Sequence, residues 1–378
     1  SIYVAGNDTV ITSSNFTHTN AGNGGAIYVS GENTEISHDS FVEINSFYGA
    51  GVYVAGNNTS IFDSTFIRTV GMNDGGAIYV SGLNTDISNS KFSENKINSS
   101  EGRGGSVYIE GNGTGISNCT FEKCSAYEGG VAYISGSNAH LDNISSIYSF
   151  AANGGAFYIK GNDAIISNSL LNYNNATDYG GTIYVAGNNA LITASDFEKC
   201  IAYEKDGGAI YVSGLNTVIS KSNFVQNRVD GAEARGGSIN VQGSDAKILN
   251  CTFDMCTAYE GGVVYINGSN VLIDGYSCNR SFASNGGAIY VMGDYVTIAD
   301  FNMSYTNAND YGGAIYIAGN FATIDNSNFT RCIAYSKDGG ALFISGSNAT
   351  VLKSNFVVNK VGGSDARGGS IYIEGDGV

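Results

Sequence analysis

Gly24-Gly25-Ala26-Ile27-Tyr28-Val29-Ser30-Gly31 returns along the whole chain, with close copies at Gly75 to Gly82, Gly207 to Gly214 and Gly339 to Gly346. Self-similarity with a period of about 20 to 50 residues signals stacked supersecondary units. Aligned on the second Gly of each pair, the chain falls into fourteen complete rows and a truncated last one. Five rows make a larger block that itself recurs, with equivalent starts at Gly105, Gly237 and Gly369, giving cassettes 1–104, 105–236 and 237–368 and a partial coil 369–378.

Three residues after the aligned Gly stands Tyr in every row except those with Asn240 and Phe343, and small or aliphatic residues flank it, as Ile27 and Val29 do Tyr28. This is the period-2 alternation of a short strand. Six residues after the aligned Gly, Gly recurs in every row, from Gly6 and Gly31 to Gly346 and Gly375. Such a position requires either positive φ or a backbone too close for a Cβ. Further on come an aliphatic position, usually Ile, and then Phe, as in Phe41, Phe66 and Phe92, separated by Gly, Asn, Asp and Ser. No apolar stripe of helical period occurs, so no helix is expected.

One row cannot bury its own apolar face, but stacked rows bury a continuous column. A propeller blade needs about 40 residues, and the leucine-rich signature is missing. The expected fold is all-β, a right-handed parallel β-helix (β-solenoid) of about 14 coils of about 25–29 residues with a five-coil, roughly 132-residue super-repeat. At about 4.8 Å between coils it would form a rod of roughly 65 to 70 Å. The absence of Pro agrees, since Pro would remove a ladder hydrogen bond. Residues 1–378 read as one continuous solenoid, and both ends enter or leave the repeat in mid-pattern, which suggests a segment of a longer protein or fibre.

A formal charge of −16 with 18 Lys and Arg argues against nucleic acid, whose phosphates need a basic footprint. No apolar run is long enough to span a membrane as a helix. The seven Cys fall on inward positions and read as small buried hydrophobes, with a bridge inside one row between Cys119 and Cys124 as the alternative. The three His do not recur, so no metal site and no cofactor is expected. Asn-X-Ser/Thr triplets abound in predicted turns, and Asn7, Asn57, Asn112, Asn267 and Asn348 are the glycosylation candidates, although an Asn-, Ser- and Thr-rich chain also produces such triplets by chance.

The longest row of each cassette carries an excursion that pairs an acid with an Arg two positions on: Glu101 with Arg103, Glu233 with Arg235, and Asp365 with Arg367. These are a solvated local ion pair or a contact between rods, repeated once per cassette. The Tyr residues Tyr28, Tyr53, Tyr79, Tyr108, Tyr133, Tyr158, Tyr184, Tyr211, Tyr265, Tyr290 and Tyr316 are expected to stack on one outward face, for stability or for binding.

The Gly-Gly-Ala-Ile motif, as in Gly24 to Ile27 and Gly312 to Ile315, and Phe-X-X-Asn, as in Phe92 to Asn95 and Phe224 to Asn227, together resemble the repeats of the chlamydial polymorphic membrane proteins. The Tyr- and Asn-rich, sequon-laden background is similar to the adhesin-like surface proteins of methanogenic archaea. Rows with Cys124 or Cys200 in place of the Asn depart from the pattern. The resemblance implies an extracellular, cell-surface adhesin or filament and carries no catalytic residue over.

The expected function is therefore a structural or adhesive surface protein, self-associating end to end or laterally and in contact with cell-surface glycans. The alternative is a polysaccharide-binding or polysaccharide-degrading β-helix. Catalysis would need converging carboxylates; Asp74, Asp206 and Asp338 instead recur at one offset, so no catalytic residue is assigned and the chain is expected not to be an enzyme.

Overall fold

The computed structural model describes residues 1–378, which form 53 strands and no helix. They divide into two compact units, Ser1–Thr177 with Gly181–Ala190 and Asp178–Gly180 with Leu191–Val378. Each unit is a stack of coils in which every strand pairs in parallel with its counterpart one row away, as the sequence alignment expects.

The Tyr-bearing strands make the first sheet. In the first unit it runs from Ile2–Val4 through Ile27–Val29, Val52–Val54, Ile78–Val80, Val107–Ile109, Ala132–Ile134 and Phe157–Ile159 to Ile183–Val185. Tyr faces Tyr across each pairing, as Tyr28 does Tyr53 and Tyr53 does Tyr79. In the second unit it runs from Ile210–Val212 to Ile371–Ile373, with Asn240 opposite both Tyr211 and Tyr265. The aliphatic flanks point inward: Ile27, Val29, Val52 and Val54 are fully buried.

Two further strands per coil, such as Ser60–Phe62 and Thr65–Ile67, form the second sheet. A short third one, such as Val70–Asp74, forms interrupted patches. Between them lie tight corners that the composition did not disclose. Asn58, Asp63 and Arg68, at φ near 54°, 50° and 51°, form three left-handed corners at even spacing, and most coils repeat them. Asn and Asp tolerate this conformation and dominate the first corner. Arg68, Tyr148 and Tyr173 adopt it in the third because ladder hydrogen bonds on both sides of the corner hold them there.

The recurrent Gly has one of the two causes offered for it. Gly31, Gly56 and Gly187 do not have positive φ, but a Cβ on any of them would run into the carbonyl of the corresponding Gly one coil earlier, Gly6, Gly31 and Gly161 respectively. Close approach therefore fixes this position. Positive φ belongs instead to the first Gly of each pair, such as Gly24 at 59° and Gly75 at 67°.

Inside the coils Phe stacks on Phe: the Phe41 and Phe66 centroids are 4.5 Å apart and those of Phe224 and Phe253 4.7 Å. The Asn of Phe-X-X-Asn is buried and fully engaged. Asn95 Oδ1 accepts the Thr69 N–H at 3.0 Å while its Nδ2 donates to the Phe66 carbonyl at 3.1 Å, and Asn227 does the same with Cys200 and Phe197. Buried polar groups persist when they are satisfied in this way.

The Cys residues are buried as expected. No bridge joins Cys119 and Cys124: Cys119 Sγ donates to the Ser117 carbonyl at 3.2 Å, and Cys124 Sγ accepts from the Ser106 hydroxyl at 3.0 Å. Burial pushes the Cys124 and Cys256 thiols up to about 11.

Two outcomes test this packing. Gly187→Val should cost at least about 3 kcal/mol in thermal or denaturant unfolding, the upper range for overpacking, whereas Gly22→Ala, whose Cβ would meet nothing within 4 Å, should change stability little. Iodoacetamide should leave Cys124 and Cys256 unmodified in the native chain at pH 8 and alkylate them after denaturation, read by peptide mass spectrometry.

Candidate functional site

The Tyr ladder forms as a stack within each unit. Ring centroids lie 4.9 Å apart for Tyr28 and Tyr53, 4.7 Å for Tyr53 and Tyr79, 4.8 Å for Tyr79 and Tyr108 and 4.6 Å for Tyr158 and Tyr184. In the second unit the Tyr290 and Tyr316 centroids are 4.5 Å apart. It is not an open aromatic strip, however. Tyr108, Tyr133 and Tyr265 are only 6%, 3% and 4% exposed, and most of the other rings are partly covered.

What covers them is a second column, two positions before each aligned Gly. Its members are Asp74, Arg103, Glu128 and Asn153 in the first unit, and Tyr179, Asp206, Arg235, Glu260, Asn285 and Tyr311 in the second. The Arg103 guanidinium lies 5.0 Å from the centroids of both Tyr108 and Tyr133, a cation–π geometry. It also forks onto Asp74, Nε to Oδ1 and Nη2 to Oδ2, each at 3.0 Å. The Arg367 guanidinium pairs with Asp338 through Nη2 to Oδ2 alone, at 2.9 Å, and lies over the Tyr372 ring at 4.6 Å.

These contacts correct the expected ion pairs. Arg103 and Arg367 engage acids one coil earlier, and Arg235 engages Glu260 one coil later at 3.0 Å; Glu101, Glu233 and Asp365 remain exposed on the excursion. Two positions apart on a looping backbone, acid and Arg diverge, while the parallel ladder brings like offsets side by side. Glu128 and Glu260 have pKa values raised above the usual carboxylate range, chiefly by burial and against the pull of their Arg neighbours.

The sequon Asn residues also belong to a ladder. Asn7 Oδ1 accepts the Glu32 N–H at 2.9 Å, Asn57 Oδ1 accepts Leu83 N–H at 2.9 Å, and Asn112 Oδ1 accepts Ser137 N–H at 2.8 Å. Asn267 Nδ2 donates to Gln242 at 2.9 Å, and Asn348 occupies a left-handed corner. Thr59 and Thr114, the third residues of two of these triplets, are buried. The repeating turn therefore has its own reasons for Asn and Thr at these positions.

Exposed aromatic residues lie elsewhere, at places the repeat alignment did not single out, among them Tyr148, Tyr203, Tyr295, Phe321 and Tyr335. Tyr127 and Phe150 are each 43% exposed and flank a groove of about 290 Å³ lined also by Ser99, Ser100, Ser125 and Thr177. The groove opens where the third sheet is interrupted: Ser125 makes only single bridges to Lys96 and Phe150. The excursion holds the Tyr127 backbone, whose N–H donates to the Gly102 carbonyl at 2.9 Å. The second unit repeats the arrangement one cassette on with Tyr259 and Phe282, 41% and 36% exposed, and Tyr259 N–H on the Ala234 carbonyl at 2.9 Å. The sequence carries Cys-X-Ala-Tyr here, at Cys124 to Tyr127 and Cys256 to Tyr259, and also at Cys200 to Tyr203 and Cys332 to Tyr335, where the Tyr is exposed as well.

Comparison with known proteins agrees with this architecture. The family model "Right handed beta helix region" matches residues 105–245. No curated protein matches the chain. Among solved structures, one mutant tailspike protein of E. coli bacteriophage HK620 in complex with pentasaccharide aligns over 96% of this chain and 73% of its own, with TM-score 0.57 and 10% identity. Another aligns over 87% of this chain with TM-score 0.52 and 14% identity, and there this chain spans 63% of the tailspike's length. PfbA, a surface adhesin of Streptococcus pneumoniae, aligns over 89% of this chain and 84% of its own, with TM-score 0.43 and 11% identity.

The fold class is thus an all-β, right-handed parallel β-helix. The tailspike comparison overturns one expectation. A fold shared with proteins solved around a bound oligosaccharide gives no ground for excluding enzymatic activity, so the expectation that the chain is not an enzyme does not hold. No helix is long and apolar enough to cross a membrane.

The column makes opposite demands at its Asp positions. Burial acts to raise the Asp338 carboxyl, but the hydrogen bonds and charge of Arg367 outweigh it and hold the pKa below the usual range. Asp206 is raised, mainly by burial. A lowered carboxyl supplies stability that is lost as pH falls through its folded value, and a raised one favours the fold at lower pH. Asp338→Asn should therefore lower the thermal midpoint at pH 7 and narrow its gap from wild type toward pH 3, whereas Asp206→Asn should show no such acid-sensitive loss.

Proposed function

We propose that this chain is an extracellular, surface-exposed adhesive β-helix that binds glycan, with Tyr127 and Phe150 and their repeat Tyr259 and Phe282 as the contact surfaces. The carrying observation is the pair of exposed aromatic rings bordering a groove that joins apolar side chains, Ile97, Ala126 and Ala152, to the hydroxyls of Ser99, Ser100, Ser125 and Thr177. Aromatic faces take the apolar face of a sugar ring, and Ser and Thr hydroxyls both donate and accept to its edge. A net charge of −16 favours a neutral glycan over a polyanionic one. Support comes from the tailspike proteins of the same fold, which were solved with pentasaccharide. The Gly-Gly-Ala-Ile and Phe-X-X-Asn resemblance to surface proteins supports the setting.

Affinity electrophoresis through gels containing neutral polysaccharides tests this reading. The expected outcome is retardation in at least one gel. The Tyr127→Ala, Phe150→Ala, Tyr259→Ala, Phe282→Ala variant should bind at least tenfold more weakly, since one aromatic anchor alone contributes about 2 kcal/mol. Unretarded wild type, or a variant that binds as well as wild type, would refute it. Chromatography of the polysaccharide after incubation separates binding from cleavage.

A further inference from the structure

The Asp-Arg column occurs three times, and the middle copy departs from the other two. Asp74 and Asp338 each hold the guanidinium of the Arg one coil later, Arg103 and Arg367. Asp206 does not. Its Oδ1 accepts the backbone N–H of Arg235 at 2.8 Å, but the Arg235 side chain turns away and donates through Nε to Glu260 Oε2 at 3.0 Å.

The cause lies one strand on. Arg103 and Arg367 rest over Tyr108 and Tyr372, and the residue at that place in the middle cassette is Asn240. Without a ring to rest on there, Arg235 stays over Tyr265, with Cζ 5.0 Å from the centroid, and Glu260 captures it. Two local costs follow. Asp206 is left with a carboxyl pKa raised mainly by burial, and Asn240, fully buried, has an Nδ2 with no hydrogen-bond partner although its Oδ1 accepts from Gln242 at 2.7 Å. Departures from local consistency of this kind concentrate at functional sites.

Beside Asp206 is a hollow of about 260 Å³ lined by Tyr179, Glu204, Lys205, Asp206, Glu233 and Arg235. We propose that it is a recognition pocket for one sugar residue, with the Asp206 carboxylate accepting from its hydroxyls; this rests on the glycan reading above and adds a second, polar contact to the aromatic grooves. The lining selects the ligand class. A simple cation would meet Lys205 and Arg235, and a simple anion would meet Glu204, Asp206 and Glu233. A neutral polyhydroxyl ring satisfies both sets at once, accepting from the cations and donating to the carboxylates. Sites for drug-sized ligands begin at roughly 300 Å³, and this hollow is smaller, which fits a single ring and not a chain.

The full chain and three variants, Asp206→Asn, Asp74→Asn and Asp338→Asn, supply the test. In thermal unfolding at pH 7 without ligand, Asp206→Asn should match or exceed wild type, because Asn keeps the acceptor for Arg235 N–H and removes a carboxylate that has no guanidinium partner. The other two should unfold at lower temperature. In calorimetric titration with cellopentaose, laminaripentaose and chitopentaose, Asp206→Asn should weaken the best binder at least tenfold, while the other two variants, assayed below their midpoints, keep wild-type affinity. The proposal is overturned if Asp206→Asn lowers the midpoint as its sisters do, or if it leaves the affinity unchanged. Affinity that survives Asp206→Asn but disappears in the fourfold aromatic variant removes the pocket and leaves the glycan reading standing; a wild type that binds none of the three sugars overturns both.

Discussion

Parallel pairing of each coil with the next, in register, is the constraint from which the remaining features follow. Every backbone N–H and carbonyl in the strands looks for its partner one row away, so like offsets are held within one strand spacing. Where successive coils approach most closely no Cβ fits, and Gly31, Gly56 and Gly187 are required because each sits against the carbonyl of its predecessor. Where side chains project, identical residues stack, inward as Phe41 on Phe66 and outward as Tyr28 on Tyr53. Stacked aromatics and Asn residues that bond their neighbours turn a repeated sequence into ladders.

The same constraint limits where a ligand can be met. A perfect ladder presents its atoms to its own neighbours: Asn57 bonds the coil after it, Arg103 covers Tyr108 and Tyr133, and Asp74 is occupied by Arg103. Two of the open surfaces arise where the ladder is interrupted. One interruption is the gap in the third sheet at Ser125, where Tyr127 and Phe150 stand out from the coil. Another is Asn240, whose missing ring redirects Arg235 from Asp206 to Glu260. The long row that ends each cassette creates the first, and a single residue creates the second.

Much of this was legible in the sequence. The positions of Gly31, Tyr28, Ile36 and Phe41 within their row define the register, and the pairs Tyr28 with Tyr53 and Phe41 with Phe66 face one another as the repeat places them. An extended coil that must repeat its hydrogen bonds leaves few alternatives, and the period of apolar residues determines the strands. The left-handed corners at Arg68 and Tyr148 were not legible, because neither residue favours positive φ and only the ladders on both sides impose it. Spacing along the chain points Arg103 and Arg235 to acids two positions away, whereas the parallel fold places the carboxyls they engage a whole coil away in sequence.

By itself, then, the sequence determined the repeat, its register, the all-β parallel architecture and the inward column of Ile, Phe and Cys, since these follow from period and composition alone. Tertiary structure decided which outward residues are available. Tyr108 and Arg103 look exposed on a strand-by-strand reading, yet each covers the other, while Tyr127 stands exposed and Asp206, half-buried, keeps a carboxylate that no guanidinium engages. Side-chain availability depends on what neighbouring coils place within a few ångströms, and that information is held in the stack of rows and not in any one of them.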